Sequence, residues 1–111
     1  MVRMWLVDPE LMCKQHRLGE HKEIHDLVGF IRNGHIEKVQ FHASRGQVFP
    51  QHISMRHEQL EAHDGLDSPI SVPDVAEDLQ MTEVTGRLLK HNRQELARRC
   101  DECAKKQEEV L

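Results

Sequence analysis

The chain has 111 residues and a formal net charge of -4, with 38% hydrophobic and 31% charged residues. This length supports a single domain with a modest core, and the composition is typical of a soluble globular protein. No apolar run approaches the roughly 18 residues that cross a bilayer, and Asp8 and Pro9 come too early for a signal peptide. We therefore expect an intracellular, cytoplasmic protein with no membrane partner.

The first predicted helix covers residues 9–32. The Asp-Pro pair at residues 8–9 is typical of a helix start, and apolar residues recur at helical spacing after it. The Asn-Gly pair at residues 33–34 is expected to end this helix. Residues 35–49 have no sustained hydrophobic period, so they form either a loop or a weak short helix.

The second half of the chain is also predicted to be helical. A second helix is expected over residues 50–64, followed by a turn-rich connector and a short helical segment over residues 74–81. A last helix runs from residue 82 toward residue 103, and the tail over residues 104–111 is expected to fray. Because no alternation of period two persists anywhere, the predicted class is all-α.

One face of the first predicted helix carries three ionisable side chains of the kinds that act in catalysis. His16, Glu20 and Glu23 follow at steps of four and three residues, so they share that face. On spacing alone, such a face is more often solvated, with a few ion pairs to Lys or Arg.

Charge is distributed unevenly along the chain. Residues 1–57 hold eight Lys/Arg and six Asp/Glu, whereas residues 58–111 hold seven and thirteen. Seven of the nine histidines also lie in the first part. A polyanionic partner would therefore meet the N-terminal half, although the charge pattern alone fits a solvated surface equally well.

Two residue pairs have the spacing of metal ligands. His21 and His25 lie at i and i+4 of a helix, and Cys100 and Cys103 form a C-x-x-C pair. Each pair is half a site, because no second pair at zinc-finger spacing follows it. The three cysteines are expected to be free thiols in a reducing compartment, and we predict neither a metal site nor a cofactor.

Several runs together resemble one known family. They are MWLVDPELMCKQHRLGEHKEIHDLVG near the start, then RGQVFPQHISMRHEQLEAH, the SPI of the connector and the late RCDEC. The chain resembles the pyrimidine-dimer DNA glycosylase/AP-lyases named after phage endonuclease V. The resemblance implies one compact domain over residues 1–111, of about three main helices with long connecting loops. It also implies base excision on double-stranded DNA that carries a damaged or abasic site.

The resemblance assigns roles to individual residues. The nucleophile would be the α-amine of Val2 after removal of Met1, and Glu23 would be the essential carboxylate. The substrate-binding residues that it implies, in sugar and phosphate contacts or flanking the site, are Arg3, Gln15, His16, Glu20 and Lys22. On the second predicted helix, the basic Arg56 is expected to reach a phosphate, while His57 and Glu58 are expected to be exposed.

The chemistry explains why an N-terminal amine is useful. An α-amine titrates near 7.7 to 8.0, so at neutral pH roughly a tenth of it is unprotonated, against fewer than about one in a thousand for lysine. The neutral amine attacks the sugar, and a carboxylate assists the later proton transfers. The alternative is a non-catalytic DNA- or protein-binding protein on the same fold, with an unidentified protein partner.

Overall fold

The computed structural model describes residues 3–110, which form helices and connecting segments without a strand. The α-helices are Lys14–Arg32 (α1), Ile36–Ser44 (α2), Ile53–Asp64 (α3), Gly86–Arg99 (α4) and Asp101–Val110 (α5). Short 3-10 helices occupy Pro9–Leu11, Pro50–His52 and Asp74–Asp78. The all-α prediction is confirmed, with five α-helices in place of about three. None of the helices in the described part combines the length and apolar character that a membrane crossing requires.

The first α-helix begins later than the sequence predicts. Asp8 accepts a hydrogen bond from the Glu10 N–H at 3.0 Å, but only a 3-10 turn follows, and α1 starts after Cys13. Met12 is extended, with φ of -118° and ψ of 146°, and its carbonyl accepts a 2.6 Å hydrogen bond from Nη1 of Arg17. The extended backbone at Met12 therefore separates the 3-10 turn from α1.

Glycines follow two helices where the sequence predicts their ends. Gly34 lies just beyond α1 with φ of 84°, and Gly65 directly follows α3 with φ of 66°. These are left-handed conformations that glycine adopts without steric cost. Residues 36–44, for which the sequence left a loop or a short helix open, form α2.

The last predicted helix is divided into α4 and α5 at Cys100. Thr85 caps α4 by accepting the Leu88 N–H at 3.1 Å, and Cys100 is extended, with φ of -143° and ψ of 114°. Residues 104–110, which were expected to fray, are helical and belong to α5. The fully buried Cys103 side chain anchors the first turn of that helix.

Two hydrophobic clusters hold the helices together. In the main core, α1 contributes Ile24, Leu27, Val28 and Ile31 to a cluster that also includes buried residues of α2 and α3. A second cluster joins the N-terminal segment to α4 and α5, and its buried members are Trp5, Val7, Leu11, Met12, Cys13, Leu96 and Cys103. Burial of this apolar area supplies most of the favourable free energy of folding.

Candidate functional site

A cleft lies along the face of α1 that carries Glu23, and we call it the Glu23 cleft. Its volume is about 370 Å³, and α1, the N-terminal segment and the last residue of α4 form its walls. Its lining residues are Arg3, Trp5, Gln15, His16, Gly19, Glu20, Glu23 and Arg99. The structure therefore brings five of the predicted site residues to one cleft: Arg3, Gln15, His16, Glu20 and Glu23.

Glu23 is half-buried and contacts the N-terminal segment. The backbone N–H of Arg3 donates a hydrogen bond to Oε2 of Glu23 at 3.2 Å. Burial raises the pKa of the Glu23 carboxyl above its ordinary value, while the Arg3 hydrogen bond acts in the opposite direction. A carboxyl with a raised pKa exchanges protons closer to neutral pH, which suits a general acid or base. Val2, the predicted nucleophile, lies outside the described residues.

The Arg3 side chain lies over the ring of Trp5. Its guanidinium carbon is 4.0 Å from the ring centroid, and Nη2 donates to Oδ1 of Asn92 at 3.4 Å. Burial lowers the pKa of Arg3, and the nearby Arg99 lowers it further. Within residues 3–110, the buried Nε of Arg3 has no hydrogen-bond partner. Two guanidinium groups this close together favour binding of an anion between them.

Arg56 and Glu20 form a buried ion pair, which corrects the roles predicted for both. Nε of Arg56 lies 2.6 Å from Oε2 of Glu20, Nη2 lies 2.9 Å from Oε1, and both side chains are 0% exposed. Arg56 is thus directed into the protein and not toward a phosphate. Both carboxylate oxygens of Glu20 accept hydrogen bonds from Arg56, so Glu20 is not the substrate-binding residue that was predicted. Glu58 is exposed, as predicted.

Lys22 borders Glu23 from a second, neighbouring cleft. Its side chain is 80% exposed and lies 3.4 Å from Asp26, measured from Nζ to Oδ2. This second cleft has a volume of about 470 Å³, and Lys38 and His42 contribute to its lining. Glu23 lines both clefts. Basic side chains therefore lie in the clefts on both sides of the carboxylate.

Three histidines form a polar cluster between α1 and α3. Nε2 of His57 is 3.2 Å from Nε2 of His25, and Nε2 of His21 is 3.2 Å from Oε2 of Glu61. Nε2 of His25 is also 2.9 Å from the hydroxyl of Ser68. The prediction that His57 is exposed is wrong: the residue is buried, because its ring stacks on His21 with centroids 5.0 Å apart.

The three cysteines and His16 form one cluster, at the point where the start of α1 meets the start of α5. One ligand atom from each of Cys13, His16, Cys100 and Cys103 lies within 4.8 Å of the others. Burial raises the pKa of the Cys103 thiol to about 12, so without a bound ion Cys103 stays protonated at physiological pH. The sequence prediction treated the C-x-x-C pair as half a site, and the fold supplies two further groups.

Three residues in or near the Glu23 cleft had no functional role predicted from the sequence: Trp5, Asn92 and Arg99. Trp5 supports Arg3, and the guanidinium carbon of Arg99 is 5.8 Å from the Trp5 ring centroid. Asn92 is buried and donates from Nδ2 to the Trp5 carbonyl at 2.9 Å. Arg99 stands within the RCDEC run that contributes to the family resemblance, which was a usable signal. A single asparagine within a polar helix gives no such signal.

Comparison of the chain with protein-family models, curated proteins and solved structures gives no match.

Proposed function

We propose that this protein is a DNA glycosylase/AP-lyase of the pyrimidine-dimer type, in which the N-terminal amine attacks the damaged nucleotide. The observation that carries the proposal is the hydrogen bond from the Arg3 N–H to Glu23. Arg3 follows Val2 directly, and consecutive Cα atoms are about 3.8 Å apart. After removal of Met1, the free α-amine would belong to the residue that directly precedes Arg3 in the chain.

The reaction uses groups of the chain and needs no cofactor. The unprotonated amine forms a bond to C1′ of the sugar, and the base departs with the electrons of the glycosidic bond. Opening of the sugar ring gives an imine, which acidifies the C2′ proton. Removal of that proton breaks the C3′–O bond, and the 3′ phosphate departs. Glu23 stabilises the cationic sugar and assists the proton transfers.

Recognition of DNA is assigned to the basic groups on both sides of Glu23. Arg3 and Arg99 line the Glu23 cleft, and Lys22 and Lys38 line the neighbouring one. A phosphate in the Glu23 cleft would pair with the guanidinium charges of Arg3 and Arg99. Phosphate contacts of this kind position a duplex without reading its sequence. The proposed substrate is therefore double-stranded DNA with an abasic or damaged nucleotide.

Borohydride trapping on DNA with an abasic site tests the proposal directly, because it reduces an imine to a stable covalent adduct. Protein that begins at Val2 is expected to form the adduct. The matched control is the same protein with an acetylated or extended N-terminus, which is expected to form none. The yield should rise with pH through roughly 7 to 8, as the amine loses its proton.

Other outcomes separate the alternatives. Trapping that survives a blocked terminus but is lost when Lys14 or Lys22 is substituted assigns the nucleophile to a lysine and contradicts the proposal. Binding to DNA with no adduct from either protein indicates a non-catalytic member of the same fold.

A further inference from the structure

Four side chains with metal-binding atoms lie together at the junction of α1 and α5. Cys13 directly precedes α1, His16 lies in its first turn, and Cys100 and Cys103 flank the start of α5. Sγ of Cys13 is 3.8 Å from Sγ of Cys100 and 3.2 Å from Nδ1 of His16. The same Nδ1 is 3.6 Å from Sγ of Cys103. The fold thus joins two C-x-x-C/H pairs that are 87 residues apart.

These three separations are close to the edge lengths of a tetrahedron around one ion, and all four ligand atoms lie within 4.8 Å of one another. Zn–S bonds of about 2.3 Å and a Zn–N bond of about 2.0 Å place two sulfurs about 3.8 Å apart, and sulfur and nitrogen about 3.5 Å apart. A disulfide would instead need about 2.05 Å between sulfurs. All three cysteines are free thiols, with Cys13 and Cys100 well beyond that distance.

We propose that Cys13, His16, Cys100 and Cys103 bind one structural zinc ion. Three thiolates and one imidazole are a ligand set that zinc adopts in closed, four-coordinate structural sites. Because all four positions are occupied by protein, this site has no place for a reactive water. The proposal does not rest on the lyase activity of the Glu23 cleft.

The surroundings of the cysteines are those of a metal-thiolate site. The Cys13 N–H lies 3.3 Å from Sγ of Cys103, and the Cys103 N–H lies 3.5 Å from Sγ of Cys100. Amide donors to sulfur stabilise thiolates and orient them toward a metal. Cys13 and Cys103 also belong to the second hydrophobic cluster, which holds α5 against the N-terminal segment. Bound zinc would fasten these two parts of the chain.

Zinc would also influence the Glu23 cleft through His16, which belongs to both places. The sulfurs lie near Nδ1 of His16, and the residue lines the Glu23 cleft. A metal bound at Nδ1 would fix the orientation of the ring at the edge of the cleft and leave Nε2 available to the substrate.

The test is the metal content of the full chain, purified under reducing conditions without a chelator. Mass spectrometry of the metals is expected to give one zinc per chain. Replacement of zinc by cobalt(II) is expected to give thiolate-to-cobalt charge-transfer absorption and the visible bands of a tetrahedral ion. Cys100→Ser is expected to lose the zinc, whereas His91→Asn, which changes an exposed histidine of α4, retains it. The cobalt spectrum of the unaltered chain keeps the test valid where Cys100→Ser does not fold.

Three results would overturn the proposal. The first is a folded chain that contains no metal and gives no thiolate-to-cobalt absorption when cobalt is added. The second is a metal that survives Cys100→Ser and disappears in His25→Asn, which would assign it to the histidine cluster. The third is a disulfide between Cys13 and Cys100 in protein purified under reducing conditions, identified by mass after alkylation of free thiols. None of these results depends on whether an imine forms with DNA.

Discussion

The carboxylate of Glu20 accepts two hydrogen bonds from the guanidinium of Arg56, and neither side chain reaches solvent. Glu23, less than one turn later on α1, is instead half-buried in the Glu23 cleft and accepts the Arg3 N–H. Two carboxylates that the sequence placed on one helix face therefore differ in environment. Glu20 is committed to the buried ion pair, whereas Glu23 lines the cleft.

Glu20→Gln is expected to destabilise the protein by about 3 to 5 kcal/mol, because it leaves the buried Arg56 without its counter-charge. Urea denaturation measures this change in the free energy of unfolding. The matched control, Glu23→Gln, is expected to change stability by less than about 1 kcal/mol. The double variant Glu20→Leu/Arg56→Met removes both charges, so it should recover most of the loss. Equal stability of Glu20→Gln and the unaltered protein would show that the pair is not buried.

Glu23→Gln is expected to slow strand cleavage at an abasic site by about two orders of magnitude or more, the scale of a lost acid/base group. DNA affinity should change little, because the substitution removes no basic group. The measurement is single-turnover cleavage, with binding followed separately by fluorescence anisotropy. Full activity of Glu23→Gln, with activity lost in a folded Glu20→Gln protein, would transfer the role to Glu20.

The helical class and the shared helix face could be predicted from the sequence, whereas the contact between Arg56 and Glu20 could not. Periodicity predicted the all-α class, and step spacing predicted that His16, Glu20 and Glu23 share a face. Spacing could not reveal that Arg56 of α3 reaches Glu20, because that contact depends on how two helices pack. The cysteine site was missed for the same reason, since its two halves meet only in the folded chain.

Affinity for DNA is expected to fall as salt rises, with a modest slope. We expect about three to five phosphate contacts. A plot of the logarithm of the binding constant against the logarithm of salt concentration should therefore have a slope of about -3 to -4.5. Arg3→Ala and Lys22→Ala should each lower the slope by about 1 and weaken binding to all sequences alike. Binding that is the same at low and high salt would remove the phosphate backbone as the partner of this face.

Arg98 and Arg99 provide a matched test of the cleft. Both arginines pair with Glu95, at 2.9 Å for Arg98 and 3.2 Å for Arg99, but only Arg99 lines the Glu23 cleft beside Trp5. Arg99→Ala should therefore weaken DNA binding and lower the salt slope by about 1, while Arg98→Ala should change neither. Equal effects of the two substitutions would mean that net charge, and not a phosphate contact in the cleft, controls affinity.

The histidine cluster makes a prediction about stability at mildly acidic pH. Burial lowers the pKa of His57 from its ordinary 6.5, His21 and His25 lower it further, and Glu61 opposes them. The folded protein therefore binds a proton at His57 less readily than the unfolded chain does. The stability that neutral His57 contributes is fully present above pH 6.5 and is lost as pH falls below 6.5 through the lowered pKa.

Replacing His57 tests this relation. His57→Gln keeps a polar side chain but cannot gain the proton, so its free energy of unfolding should decline less between pH 7.5 and 5 than that of the unaltered protein. His35→Gln, which changes an exposed histidine outside the cluster, is expected to leave the decline unchanged. Chemical denaturation at a series of pH values gives both slopes. An equal decline in His57→Gln and the unaltered protein would show that acid sensitivity comes from groups other than His57.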